Sequence, residues 1–476
     1  MQYMAPTNPE ILRQQFLLTQ VREENFPATW SVKELRGWML VSHESTPIAD
    51  VVDPSGQQIG WIVGQAISSS GEFLPDVITL DPLVGDDDVL EGELYKLSGR
   101  WVAILLTEEK SRVYLDAAGS LGVVYSLRQP VVASTPSLVD AKSHPYIKDL
   151  VDLLDLPRAN RWYPAGLTPR EGLLRLLPNH MLDLSNREAT RHYYCQPYQE
   201  VSAEQVHASI EEVVDRIKFV FDAIAKKGKV LLPITAGRDS RMLLACAKSI
   251  RDHIACFTFE SGAKKKTVDE KISVHIAKRF RLSHRLVPVT RSDERVLEEW
   301  GYLTGGCAGG DIAQIYSSLQ EFDANSTLTP GMMGEVGRAF YWQEEDNVAE
   351  KVMASDLLER AKLPDHSMLV EAMQRWLDEL SEFNRQQVLD LFYLEQRGGC
   401  WAAPQQYGSD RFVLHHIMPF VDRVTIDRMM SLPLAYKVSN RFADDVIKIA
   451  WPELLSVPFN QLTFSMRVQR KLSRFF

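Results

Sequence analysis

Between Ala203 and Arg281 the apolar residues alternate between two periodicities, and this limits the possible fold more than any other feature of the chain. From Ala203 to Lys226, the residues Val206, Ile210, Val213, Ile217, Phe221 and Ile224 recur at spacings of three and four, as in a helix with one buried face. Lys229 to Ile234 is a short apolar run that reads as a buried strand. It leads into the loop Thr235-Ala236-Gly237-Arg238-Asp239-Ser240 and a helix predicted over Arg241 to Ile250. Ile254 to Phe259 reads as the next strand and Glu270 to Arg281 as the next helix. Strand, helix, strand, helix predicts a parallel sheet covered by helices. From about Val370 the chain reads as largely helical.

The front of the chain, up to about residue 135, has another pattern. Gly60-Trp61-Ile62-Val63-Gly64, Trp101 to Leu106, Arg112 to Asp116 and Val123 to Leu127 are closely spaced strand candidates. The third runs into the turn Ala117-Ala118-Gly119-Ser120. Close spacing favours antiparallel pairing. A proline-punctuated stretch from Pro157 to Pro197 joins the halves and contains a turn and strand over Leu177 to Leu184. A length of 476 residues fits two domains, which we place at 1–195 and 196–476.

Composition narrows the setting. No apolar run approaches the roughly 20 residues that cross a bilayer. Met1 to Pro6 lacks the charged and apolar blocks of a signal peptide, so a cytoplasmic location is expected. A net charge of −10 argues against broad nucleic-acid binding. The five cysteines, Cys195, Cys246, Cys256, Cys307 and Cys400, are scattered and form no C-x-x-C pair, so neither a disulfide framework nor a zinc site is expected. His415 and His416 are adjacent, would point apart on a strand, and suggest no metal site.

The loop from Thr235 to Ser240 suits an anion. Small residues let backbone N–H groups approach phosphate oxygens, and the following helix adds positive potential. Thr235 and Ser240 supply hydroxyls, Arg238 or Arg241 charge, and Asp239 a helix cap or a Mg²⁺ ligand. A plain strand-to-helix turn capped by Asp or Ser satisfies the same residues. The Gly-Lys-Ser/Thr ending of a Walker loop is absent.

The segment resembles the Ser-Gly-Gly-x-Asp-Ser pyrophosphatase loop of the asparagine synthetase family, which includes β-lactam synthetases and lasso-peptide cyclases. Thr235 and Ala236 stand for the first Ser and Gly; Gly237, Asp239 and Ser240 match directly. Gly331-Met332-Met333-Gly334-Glu335-Val336-Gly337-Arg338 resembles the family's second glycine-rich acidic loop, where Glu335 is the counterpart of the Mg²⁺-holding acid. Ile417 to Arg423 resembles the late Pro-Phe-x-Asp segment that shapes the substrate wall, and Ile254 to Glu260, with Phe259, sits where the family's second strand meets adenine. The resemblance spans about residues 95 to 455. It implies a nucleotide site of Thr235, Ala236, Gly237, Arg238, Asp239, Ser240, Phe259, Gly331 and Gly334, with Asp239 and Glu335 as catalytic and metal-holding residues.

Leu97-Ser98-Gly99-Arg100-Trp101, with Asp116, Gly119 and Tyr125, resembles the family's N-terminal glutaminase domain, an Ntn-type sandwich of two antiparallel sheets. The fold class implied is α/β: that sandwich, then a parallel-sheet ATP-pyrophosphatase domain ending in helices. Active relatives carry a nucleophilic cysteine after the initiator Met. Here Gln2 stands there and no cysteine precedes Cys195, so glutamine hydrolysis has no nucleophile. Asp116 and Gly119 then read as residues that keep the fold.

The reaction implied is adenylation of a small-molecule or peptide carboxylate by ATP with Mg²⁺, then transfer of the acyl group to ammonia or an amine. No nucleic acid or membrane partner is implied, and a homodimer is compatible. The family's C-terminal lysine has no counterpart between Pro452 and Thr463, and Arg467 and Lys471 are the later candidates for its catalytic charge. Gly305 to Asp311 reads either as a lining of the acyl pocket, with Asp311 orienting an amine, or as a loop capped by Asp311 before a helix over Ile312 to Leu319. The alternative function is a non-catalytic member that binds nucleotide or a partner. Thiolation or NAD synthesis on the same loop fits the front half less well.

Overall fold

The computed structural model describes residues 9–21, 30–81, 87–263, 266–413 and 415–461. The architecture is mixed α/β, with two largely antiparallel sheets, one parallel sheet and many helices. The strands of the first two sheets all lie between Phe16 and Arg191, and those of the parallel sheet between Val230 and His416.

The six-stranded sheet runs, edge to edge, Leu173–Arg175, Val124–Ser126, Val131–Ala133, Phe16–Thr19, Trp38–His43 and Trp30–Leu35. The seven-stranded sheet runs Glu188–Arg191, His180–Asp183, Ser111–Leu115, Ser98–Leu106, Gln58–Ile67, Ile48–Val52 and Val77–Thr79. Pairing is antiparallel throughout, except that Ile48–Val52 and Val77–Thr79 run parallel. Period-two alternation sorts the side chains. Val102, Ile104 and Leu106 meet Leu18 and Leu40 of the six-stranded sheet in one core, while Trp101, Ala103 and Leu105 line another on the opposite face. The four expected strands are all present in the two sheets.

Asp116 ends the strand Ser111–Leu115 and is buried. Its carboxylate accepts from the amides of Ala118 (3.1 Å), Ser120 (2.9 Å), Leu121 (3.2 Å) and Trp101 (3.3 Å), and from the Ser120 hydroxyl (2.8 Å). Gly119, at φ +60°, makes that turn, with Pro178 and Leu115 pressed close. These two residues do hold a turn together.

The five parallel strands, numbered in chain order, are Val230–Pro233, Ile254–Glu260, His284–Pro288, Thr327–Leu328 and His415–His416, and they lie side by side in the order 3-2-1-4-5. Val230 and Leu232 pack against helices in the largest core, whereas Leu231, Phe257 and Val287 face a core shared with Leu17, Val41 and Ala133 of the six-stranded sheet. The long helix spans Val206–Lys227 and buries Ile210, Val213, Ile217, Phe221 and Ile224, the face its spacing predicts. Helices expected over Arg241 to Ile250 and Glu270 to Arg281 span Asp239–Cys246 and Val268–Phe280. The first is shorter because the chain tightens into a 3-10 turn over Lys248–His253.

Two buried contacts tie the halves together. Arg100 donates two bonds to Asp410 (2.7 and 2.9 Å), each side chain only 1% exposed, and Ser98 donates to Asp422 (2.6 Å). Gly99 between them has φ +94°, and a Cβ there would sit 2.2 Å from the Gln65 carbonyl oxygen. Among the described residues no helix is long and apolar enough to cross a membrane.

Candidate functional site

In an open parallel sheet, ligands gather beyond the carboxyl ends of the strands, where the strand order reverses. Here that point lies between the first and fourth strands. The loop Thr235–Ser240 leaves the first strand there, and the loop containing Gly331 to Arg338 leaves the fourth.

The two loops touch. A Cβ on Gly331 would lie 3.2 Å from the Ser240 amide nitrogen, and one on Gly334 would lie 2.9 Å from Asp239 Oδ1 and 3.0 Å from the Phe420 ring. Both glycines therefore let the second loop seat on the start of the helix Asp239–Cys246. Met333, in the left-handed region at φ 80°, turns the chain so that Gly334–Arg338 forms a 3-10 turn.

Within the first loop, the Thr235 amide donates to Ser240 Oγ (3.1 Å), the two hydroxyls lie 3.0 Å apart, and the Gly237 amide donates to Thr235 Oγ1 (3.1 Å). The Ala236 amide donates to Oδ1 of Asp269 (2.8 Å), an exposed residue in the first turn of Val268–Phe280. A carboxyl oxygen thus already sits on a loop amide. Val457 to Asn460 straps the loop from the other side. Arg241 donates to the carbonyls of Val457, Pro458 and Ala236, the Asn460 amide donates to the Ala236 carbonyl (3.0 Å), and Arg238 and Arg241 stack on Phe459 (4.6 and 4.2 Å).

Asp239 and Glu335 bring like charges together. Burial pushes the Asp239 carboxyl up, against the pull of Arg338, which donates to both its oxygens (2.9 and 2.7 Å). Burial, and then repulsion from Asp239, pushes Glu335 up to about 7, with the Tyr393 hydroxyl and Arg338 pulling the other way. Oε2 of Glu335 is buried without a hydrogen-bond partner. A carboxylate pair with an orphaned oxygen is what a cation would relieve. Among the described residues no three His, Cys, Asp or Glu side chains group as metal ligands. Two carboxylates are the kind of set that could hold Mg²⁺, which takes one or two of them together with other oxygens.

Phe259 lies at the carboxyl end of the second strand, beside Phe257 (5.5 Å between ring centroids) and Phe322 (6.4 Å). Phe420 packs on Gly334, while Asp422 caps the helix Arg423–Met430 and pairs with Arg216 (2.6 Å). The Gly305–Gly310 loop is buried against the front half: Cβ atoms on Gly305 and Gly309 would meet Pro136 and the Pro157 carbonyl at 2.3 Å. Its glycines serve that close approach. Gly310 takes the cap position instead of Asp311, which is exposed, and the expected helix is Asp311–Gln314 followed by a 3-10 turn over Tyr316–Glu321. His415 stacks on Phe73 (5.4 Å), and His416 is buried against Ser409 (2.8 Å). Gln2, Arg467 and Lys471 lie outside the described residues. Arg338, Tyr393, Asp269 and the Val457–Asn460 strap escaped the sequence reading; only Arg338, three residues after Glu335, carried a local signal. No known protein-family model matches the chain, and no curated protein matches it.

Proposed function

We propose that the chain is an asparagine synthetase-like ligase that adenylates a carboxylate with ATP, releases pyrophosphate, and passes the acyl group to ammonia or an amine, releasing AMP. The observation that carries this reading is the meeting of Asp239 and Glu335, one from each loop, at the sheet's reversal point. In the proposal, the Thr235–Ser240 loop binds the phosphates through its amides and hydroxyls, and Asp269 yields the Ala236 amide. Asp239 and Glu335 are the residues that would hold Mg²⁺, which would supply charge neutralisation for the phosphates. Arg338 then turns from Asp239 toward phosphate. Phe259 offers an apolar edge to the adenine. Arg467 or Lys471 supplies the late positive charge, on a chain already tied to the loop at Asn460. The antiparallel half is proposed to be a glutaminase-like scaffold without hydrolytic activity, since no cysteine precedes Cys195.

ATP–pyrophosphate exchange across a panel of carboxylates tests the reading. Exchange that depends on one carboxylate and on Mg²⁺ supports it. Tight nucleotide binding with no exchange for any carboxylate favours a non-catalytic member, a reading that the closed Arg338–Asp239 pair favours.

A further inference from the structure

Beside the second loop, a π-helical segment, Phe392–Ala402, carries several buried hydrogen-bond donors that have no partner. A Cβ on Gly398 would lie 3.1 Å from the Met333 side chain, so this segment seats directly on the loop carrying Glu335. Arg397, next in sequence, lies over the rings of Trp401 (4.1 Å), Phe340 (5.5 Å) and Trp162 (5.6 Å). Among the described residues no carboxylate pairs with it. The indole N–H groups of Trp162 and Trp401 and the Gln396 side-chain amide nitrogen are buried and have no partner. Arg397 also reaches the Tyr341 hydroxyl, a neutral acceptor, and guanidinium, indole and amide N–H groups are donors only, so the set as a whole suits an anion.

We propose that Arg397, with the indole N–H groups of Trp162 and Trp401, seats the carboxylate of the acyl substrate; as a statement about substrate it rests on the ligase reading. A planar guanidinium bonds a planar carboxylate through two parallel N–H donors. Aromatic faces around the guanidinium favour a substrate whose body is flat or apolar where it adjoins the carboxylate.

The test is ligand-observed NMR on the full chain with acetate, benzoate and hippurate as probes, their amides as controls, and inorganic phosphate as a rival anion. At least one carboxylate is expected to bind saturably while its amide does not. Arg397→Gln should weaken that binding about tenfold or more, Trp401→Phe by less, and Arg397→Lys to an intermediate degree. MgATP affinity, measured separately by calorimetry, should stay unchanged in all three variants. Binding unaltered by Arg397→Gln, saturable binding by none of the three carboxylates, or binding by phosphate alone would overturn the seat. If MgATP fails to bind the wild type while carboxylate binding still needs Arg397, the ligase reading falls and the seat stands.

Discussion

Glu335 carries its proton up to about pH 7 because burial and the neighbouring Asp239 disfavour its charge. An unfolded chain releases that proton near 4.5, the ordinary value. Between these values the folded chain holds a proton that the unfolded chain has lost, so this group's contribution to stability falls as pH rises through the window. Glu335→Gln should therefore stabilise the ligand-free protein by about 1–3 kcal/mol at pH 8 and by little at pH 4. Urea unfolding at the two pH values checks this, and an equal difference at both would contradict it. Metal binding needs the ionised form, so Mg²⁺-dependent ATP affinity should rise with pH through about 7. A pH-independent affinity would remove Glu335 from the proposed metal site. Gly334→Ala forces a Cβ to within 2.9 Å of Asp239 Oδ1 and should cost about 1–3 kcal/mol and weaken nucleotide binding. An unchanged melting temperature together with unchanged ATP affinity would show that the loops do not need this close approach.

At the scale of elements, the strand Ser98–Leu106 and the chain after the helix Ala403–Ser409 are joined by Arg100 and Asp410. Removing one member leaves the other charge buried, which costs about 3–5 kcal/mol. Arg100→Leu should lose that much in denaturant unfolding, and adding Asp410→Leu should recover part of it. Additive losses would mean that the two charges are not coupled. The pair was not legible in the sequence, where Arg100 belongs to a short motif and Asp410 lies 310 residues away. What was legible is periodic. Spacings of three and four gave the buried face of Val206–Lys227, and continuous apolar runs gave the first two parallel strands. The fourth and fifth strands, Thr327–Leu328 and His415–His416, have two residues each and leave no period to read.

Across the whole molecule, the halves are packed as one body. Ile67, Ala117, Leu150 and Trp162 from the front share a core with Val213, Phe221 and Leu243 from the back, and Leu17 and Val41 share another with Leu231 and Phe257. Unfolding followed by fluorescence and by circular dichroism should give coincident transitions. Two separated transitions would show that the shared cores contribute little. The same packing explains which parts of the site were readable. Residues in the loops Thr235–Ser240 and Gly331–Arg338 are close in sequence and carry a pattern, whereas Tyr393, Asp269 and Phe459 come to the site from distant elements by tertiary packing alone. In the proposed function both loops act together on one nucleotide. Calorimetric titration of MgATP into the wild type, Asp239→Asn and Glu335→Gln tests it most directly. Binding by the wild type should depend on Mg²⁺, and both variants should lose that dependence. MgATP bound equally well by all three proteins would contradict it.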